Sequence, residues 1–203
     1  MKHSTNFLSS SGKVLVISGP TGSGESTVTN EIIKQYPNFV RLTTATTRPK
    51  RLKEKDKVDY YFFTEDEFKR EIECGNIIEY QNNRNGVYYG SYKPDLEKKF
   101  ASEKIVIVNP DIVGTRFYKK HYHAPTIFIA PESIDDIRTR LLNREPNMDS
   151  EQLASRLAYA QQEIKEESPY YDYQVINRQN KLDQTIAKVI EILKKEGFID
   201  KTE

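Results

Sequence analysis

A single cysteine, Cys74, is all that the 203 residues offer for cross-linking or redox chemistry, and tryptophan is absent altogether. One cysteine excludes an internal disulfide and suits a reducing, cytoplasmic setting. It lies at the end of a helix-like stretch, where the ordinary reading is a small apolar filler. Long apolar runs are missing too. Val14 to Ile17 and Ile105 to Val108 are strand-sized, far short of a bilayer span. After Lys2 and His3 only Phe7 and Leu8 precede a serine run, which is no signal-peptide core. Net charge is nearly nil: 31 basic against 30 acidic residues, a formal +1. That balance argues against a nucleic-acid coat or a membrane-surface binder, though it allows local basic clusters. The expectation is a soluble cytoplasmic protein with neither nucleic acid nor membrane as partner.

What is present is enough for one sizeable fold. Hydrophobic residues at 36% and aromatics at 11% supply a core at this length. Residues 1–11 read as a loose tail. Lys13 to Ser18 is a continuous β-branched run ending in glycine, as in a buried parallel strand, and a helix through about Gln35 follows. Strands are expected at Phe39 to Thr44, Asp59 to Phe63, Ile77 to Asn83, Val87 to Gly90, Ile105 to Asn109, Thr126 to Ala130 and Tyr173 to Ile176. Thr64 with Glu67 is a capping box opening a helix to about Cys74, and Asn85-Gly86 is a preferred tight hairpin turn. Further helices are expected at about 94–102, 133–143, 151–167 and 181–196. Strands alternating with helices predict an α/β fold, a parallel sheet covered by helices on both faces. The stretch 43–98 breaks that rhythm with hairpin strands and reads as an insertion on one edge, not a separate domain.

Val16 to Thr27 reads VISGPTGSGEST. From Gly19 it follows the phosphate-cradling pattern G-x-x-x-x-G-K-[ST], with Glu25 where lysine belongs. Glycines let successive backbone N–H groups point at one anion, a helix start adds positive potential, and a hydroxyl reaches the accompanying magnesium. Gly19, Gly22 and Gly24 meet the first need, with Pro20, Thr21 and Ser23 between them. Ser26, backed by Thr27, meets the last. A glycine-rich turn without phosphate is the bland alternative.

With the next motifs the chain resembles the guanylate kinase family over about residues 12–197. TTRPKR (46–51), DYYFF (59–63), IIEY (77–80), GVYYGS (86–91), IVIVNPDIVG (105–114), IFIAPESIDDIRTRLLNRE (127–145) and RLAYAQQEI (156–164) fall in the family's order. The resemblance implies a P-loop NTPase-type sheet with an inserted mixed β/α GMP-binding region and a short helical lid. Its parts would be a core of 12–42, 99–141 and 157–203, an insertion of 43–98 and a lid at about 142–156, forming one domain. It implies Arg48, Arg51, Tyr60 and Tyr89 on the GMP phosphate, and Thr44, Glu79 and Ser91 near the base and its phosphate. A carboxylate such as Glu79 can accept from guanine N1–H and N2–H₂ together, which adenine cannot offer. Asp111 would stand near the loop cation and the metal, with Asn109 two residues before it. Arg140, Arg144 and Arg156 match the lid arginines, although Arg140 also lies four residues after Asp136, as an exposed helix ion pair would. Asn177 matches the position beside adenine.

Departures from the family pattern cluster: Glu25, Asn109 where an acidic residue is usual, Lys53 and Lys57 in place of glycines, and Glu145 in place of another. Lys50, Lys53 or Lys57 are candidates to make up the missing loop cation. The activity implied is ATP-dependent phosphorylation of GMP, and of dGMP, with Mg2+. One alternative is a binding module that holds GMP or an acidic peptide without transfer because of Glu25. Another is a kinase of a different nucleoside or sugar phosphate.

Overall fold

In a computed structural model, which describes residues 12–82 and 86–200, the β-branched run forms strand β1 (Val14–Ser18), every residue buried. Helix α1 (Glu25–Gln35) and strand β2 (Phe39–Arg41) follow, then two-residue strands β3 (Ala45–Thr46) and β4 (Tyr61–Phe62). Helix α2 (Glu65–Glu73) opens on the expected capping box: Glu67 N–H donates to the Thr64 hydroxyl, and the Glu67 carboxylate accepts from Thr64 N–H. Strands β5 (Ile77–Asn82) and β6 (Tyr88–Tyr92) precede α3 (Lys93–Ala101), β7 (Ile105–Val108) and α4 (Ile112–Tyr122). The chain ends with β8 (Thr126–Pro131), α5 (Ile134–Arg144), α6 (Ser150–Gln162), a π turn over Glu163–Glu167, β9 (Tyr173–Asn177) and α7 (Leu182–Lys195). The tail at 1–11 and Asn85 of the hairpin turn lie outside the described residues.

The fold is mixed α/β, a parallel sheet flanked by helices, with a second, largely antiparallel sheet. Two compact units divide the described residues: those up to Leu15 with those of 38–124, and Val16–Pro37 with those from Pro125 on. Strand β1 is common to both. Its start pairs in the first unit, where Val106 N–H donates to Lys13 O, and its end pairs with β8 in the second, Val16 opposite Thr126.

In the first unit β2 and β7 run parallel, Val40 opposite Val106. The strand expected through Thr44 ends at Arg41, because the backbone turns away. Leu42 N–H still reaches Ile107 O, but Thr43 N–H goes to the Asp95 carboxylate at 2.9 Å. The four-stranded sheet β4-β3-β6-β5 packs Ala45, Phe68 and Ile77 among Tyr61, Phe63, Ile72, Tyr88 and Tyr92. Helix α4 was not expected. Its β-branched and aromatic residues and Gly114 are weak helix formers, but Asp111 caps it, accepting from Val113 N–H at 2.8 Å and Gly114 N–H at 3.0 Å.

In the second unit β8 pairs with β9 over five residues, from Ile127 opposite Tyr173 to Pro131 opposite Asn177. Helices α5 and α6 share a core of Ile137, Leu141, Leu153, Leu157 and Ala160. Each large side chain buried there contributes on the order of 1.5–3 kcal/mol. The last turn of the expected 151–167 helix winds as the π turn, a widened form that α-helices take up locally.

Candidate functional site

In the second unit, residues 19–24 join the buried end of β1 to α1. Ser23 N–H bonds to Pro20 O at 2.9 Å, and Gly22 and Gly24 both take left-handed backbone angles, φ +80 and +95. Such a succession turns neighbouring N–H groups toward one point. Gly24 is the helix cap and has no side chain with which to cap the first amides of α1. A Cβ here would also meet the Asn177 amide nitrogen at 2.4 Å. Glu25, Ser26 and Thr27 form the first turn of α1, and the Ser26 hydroxyl donates to the Glu25 carboxylate at 2.7 Å.

Two carbonyls of this loop are held by side chains from other elements. Arg140, on α5, donates from Nη1 to Gly22 O at 3.2 Å and Ser23 O at 2.7 Å, and from Nη2 to Asn177 O at 2.8 Å. Asn177, at the end of β9, donates its amide to Ser23 O at 2.7 Å, and its own oxygen accepts from the Thr185 hydroxyl at 3.1 Å. The ion pair that sequence spacing offered Arg140 is not what it makes; Asp136 instead closes the capping box of Ser133. Arg144 and Arg156, on α5 and α6, meet at Glu145, at 3.2 and 3.1 Å. The Arg156 hydrogen bond holds the Glu145 carboxyl below its usual range.

In the first unit Arg48 is gripped by Glu54 through two parallel bonds, Nη2 to Oε1 at 2.7 Å and Nη1 to Oε2 at 3.0 Å. Glu54 also accepts from Arg51 N–H at 2.8 Å. These contacts keep the Glu54 carboxyl below its ordinary value and the Arg48 guanidinium above it. The guanidinium lies 5.5 Å from the Tyr60 ring centre, and Tyr60 meets Tyr89 edge-on at 6.1 Å. One fixed cation and two phenols therefore converge, a donor set suited to phosphate. Thr44 lies at the start of the same sheet, its carbonyl accepting from Tyr61 N–H.

A second polar group forms on β5 and β6. The pairing skips a residue between Ile77 and Tyr80, a bulge of the kind that re-aims a side chain, and Glu79 lies in it. The Ser91 hydroxyl donates to Glu79 Oε1. Burial pushes the Glu79 carboxyl up to about 7; Ser91 opposes that shift and the negative charge of Asp111 adds to it. Asn109, just past β7, and Asp111, the cap of α4, complete this stretch.

A loop with left-handed glycines between a buried parallel strand and a helix defines the class: an α/β protein with a glycine-rich loop of the phosphate-cradling pattern after its first strand. The particular family follows from comparison. The family model for guanylate kinase matches residues 11–196. A guanylate kinase of Bacteroides thetaiotaomicron is 34% identical over 94% of this chain and 91% of its own length. One from Thermotoga maritima is 33% identical over 91% and 87%. The crystal structure of guanylate kinase from Anaplasma phagocytophilum superposes with a TM-score of 0.72 at 30% identity, covering 96% of this chain and 90% of that one. The chain belongs to the guanylate kinase family.

Three residues at these sites had not been singled out as site residues: Glu54, Thr185 and Gly114. Glu54 had a signal, an acidic residue among Arg48, Lys50, Arg51, Lys53 and Lys55. Gly114 had only its place at the end of the motif 105–114, and Thr185 had no signal, since each matters through a partner on another element.

Proposed function

We propose that this chain catalyses ATP-dependent phosphorylation of GMP, and of dGMP, to the diphosphate. An oxygen of the GMP phosphate attacks the γ-phosphorus of ATP, the bond to the bridging oxygen breaks, and ADP leaves. The observation that carries this reading is the Glu79–Ser91 pair: a mostly buried carboxylate aimed by a bulge, an acceptor suited to the two adjacent donors of guanine. Arg48, Arg51, Tyr60 and Tyr89 hold the GMP phosphate, and Thr44, Glu79, Ser91, Asn109 and Asp111 complete that site. Residues 19–27 and Asn177 hold ATP. Arg140, Arg144 and Arg156 stabilise the charge spread over the phosphoryl group in transfer, which is almost the whole of such catalysis. One domain serves the reaction, with a GMP-binding insertion at 43–98 and a lid at about 142–156. The binding-module alternative is not favoured.

Magnesium fits the loop chemically. Ser26 and Glu25 place two oxygen donors 2.7 Å apart, the hard ligands that this ion takes. Among the described residues no cluster of three or more acidic, histidine or cysteine side chains could hold a metal alone, so the phosphates would supply most of its ligands. When bound, the ion neutralises charge on the β- and γ-phosphates; Ser26 would hold it, with Asp111 through water. Glu25 stands in place of the loop lysine. At 4 Å and an effective dielectric near 20, a unit charge is worth about 4 kcal/mol, so its side chain works only turned from the phosphates or shared with the ion. No described helix is long and apolar enough to cross a membrane, and we place the activity in the cytoplasm with its two nucleotide substrates.

The test is GDP formation from ATP and GMP with magnesium, with AMP and IMP as competing acceptors. Glu79→Gln is expected to reduce the preference for GMP over IMP. A chain that binds GMP no better than AMP would overturn the reading.

A further inference from the structure

Tyr118 is among the largest fully buried side chains of the protein, and nothing in the proposed reaction uses it. It sits on α4 four residues after Gly114, hence on the same helix face one turn further on. Gly114 is where Glu79 comes down onto that face: a Cβ there would lie 2.7 Å from Glu79 Oε2 and 2.9 Å from its Cδ. Helical side chains lean toward the N-terminus, so the Tyr118 ring runs back toward the turn that Glu79 covers. Ser91 and the Glu79 carboxylate are among the groups that act on its hydroxyl. Burial, and the charge of Glu79, push the phenol well above its usual range. It is therefore a neutral donor.

That donor is left over. No hydrogen bond of ordinary geometry reaches the fully buried Tyr118 hydroxyl from the described residues, although Ser91 is close enough to act on it as a hydrogen-bonding group. A buried hydroxyl without a partner is costly, which makes an idle one at this place hard to account for as packing. Ser91, itself 1% exposed, has spent its only proton on Glu79 and keeps free acceptor capacity on its oxygen.

We infer that Tyr118 is a positioning residue for guanine recognition: its hydroxyl completes a bond to the Ser91 oxygen as the base takes the Glu79 carboxylate, fixing both carboxylate oxygens against N1–H and N2–H₂. The inference rests on the guanine-binding reading of Glu79. A chain of hydroxyl, hydroxyl and carboxylate polarises cooperatively, so its end is stiffest when all three links are made.

Calorimetric titration of the full chain with GMP and with IMP, which lacks the 2-amino group, tests this without requiring turnover. Tyr118→Phe keeps the ring and its packing. We expect GMP binding to weaken by about three- to tenfold, the loss of roughly one hydrogen bond, and IMP binding to change by less than half as much on a logarithmic scale. In a Ser91→Ala background the same substitution should cost nothing more, since coupled residues are not additive. Equal weakening of both nucleotides, an additive double variant, or unchanged GMP affinity would overturn the inference while leaving the function intact. Natural protein that fails to prefer GMP over IMP would instead overturn the reading of Glu79, and the inference with it.

Discussion

Replacing Arg140 with methionine should loosen the phosphate loop before any substrate is present. Its guanidinium bonds three backbone carbonyls, at 3.2, 2.7 and 2.8 Å. Ser23 O keeps the Asn177 amide in the variant, but Gly22 O and Asn177 O each lose a charged donor. Such bonds contribute roughly 1.5–3 kcal/mol each, and water replaces part of that at a half-buried site. The expected loss is therefore about 2–4 kcal/mol. Methionine and arginine have similar helix propensity, so α5 itself adds little. For a chain of this size each kilocalorie lowers the melting temperature by about 2–4 °C, giving a drop of roughly 4–16 °C. Arg140→Lys keeps the charge but loses the planar fork, and should recover less than half of it. The assay is thermal denaturation without nucleotide. Methionine and natural proteins melting within 1 °C of each other would refute the bracing role and leave Arg140 only a substrate contact.

Two further predictions concern buried charge in the first unit. Asp95 is 6% exposed and accepts from Thr43 N–H, the Tyr61 hydroxyl and Lys99; Asp95→Leu alone strands Lys99, and urea denaturation should show a loss of about 3 kcal/mol, most of it regained when Lys99→Met is added. Burial holds the Glu79 carboxyl at about 7 against an ordinary 4.5. The fold therefore favours the neutral acid, and that contribution, at most about 3 kcal/mol, is full below pH 4.5 and lost as pH rises through 7. Melting curves should accordingly show Glu79→Gln gaining on the natural protein between pH 4.5 and 7.5; a constant difference would contradict the shift.

Local chemistry made much of this molecule legible in advance. The capping box at Thr64 and Glu67, the buried runs of β1 and β7 and the glycine loop all form where their residue types demand, because each is decided within a few neighbours. Helix α4 escaped because its own residues favour helix weakly and a single side chain, Asp111, starts it; Asp111 had been read for chemistry and not as a cap. Arg140 shows the other limit. Its partners lie 117 and 118 residues away along the chain for the loop and 37 for Asn177, whereas Asp136, the partner that spacing offers, is used by Ser133. Glu79 was legible as a candidate for reading the base, but its surroundings were not: the bulge, the close approach to Gly114 and the buried Tyr118 are products of strand pairing and helix packing.

The central claim is that this chain makes GDP although Glu25 stands where its loop lysine would be. Steady-state GDP formation from ATP, GMP and magnesium, run beside Glu25→Lys, tests it most directly. Turnover by the natural sequence on the order of 1–100 s⁻¹, as is typical of kinases, is the predicted result. A natural protein that binds GMP but forms no GDP, with activity appearing only in Glu25→Lys, would contradict it.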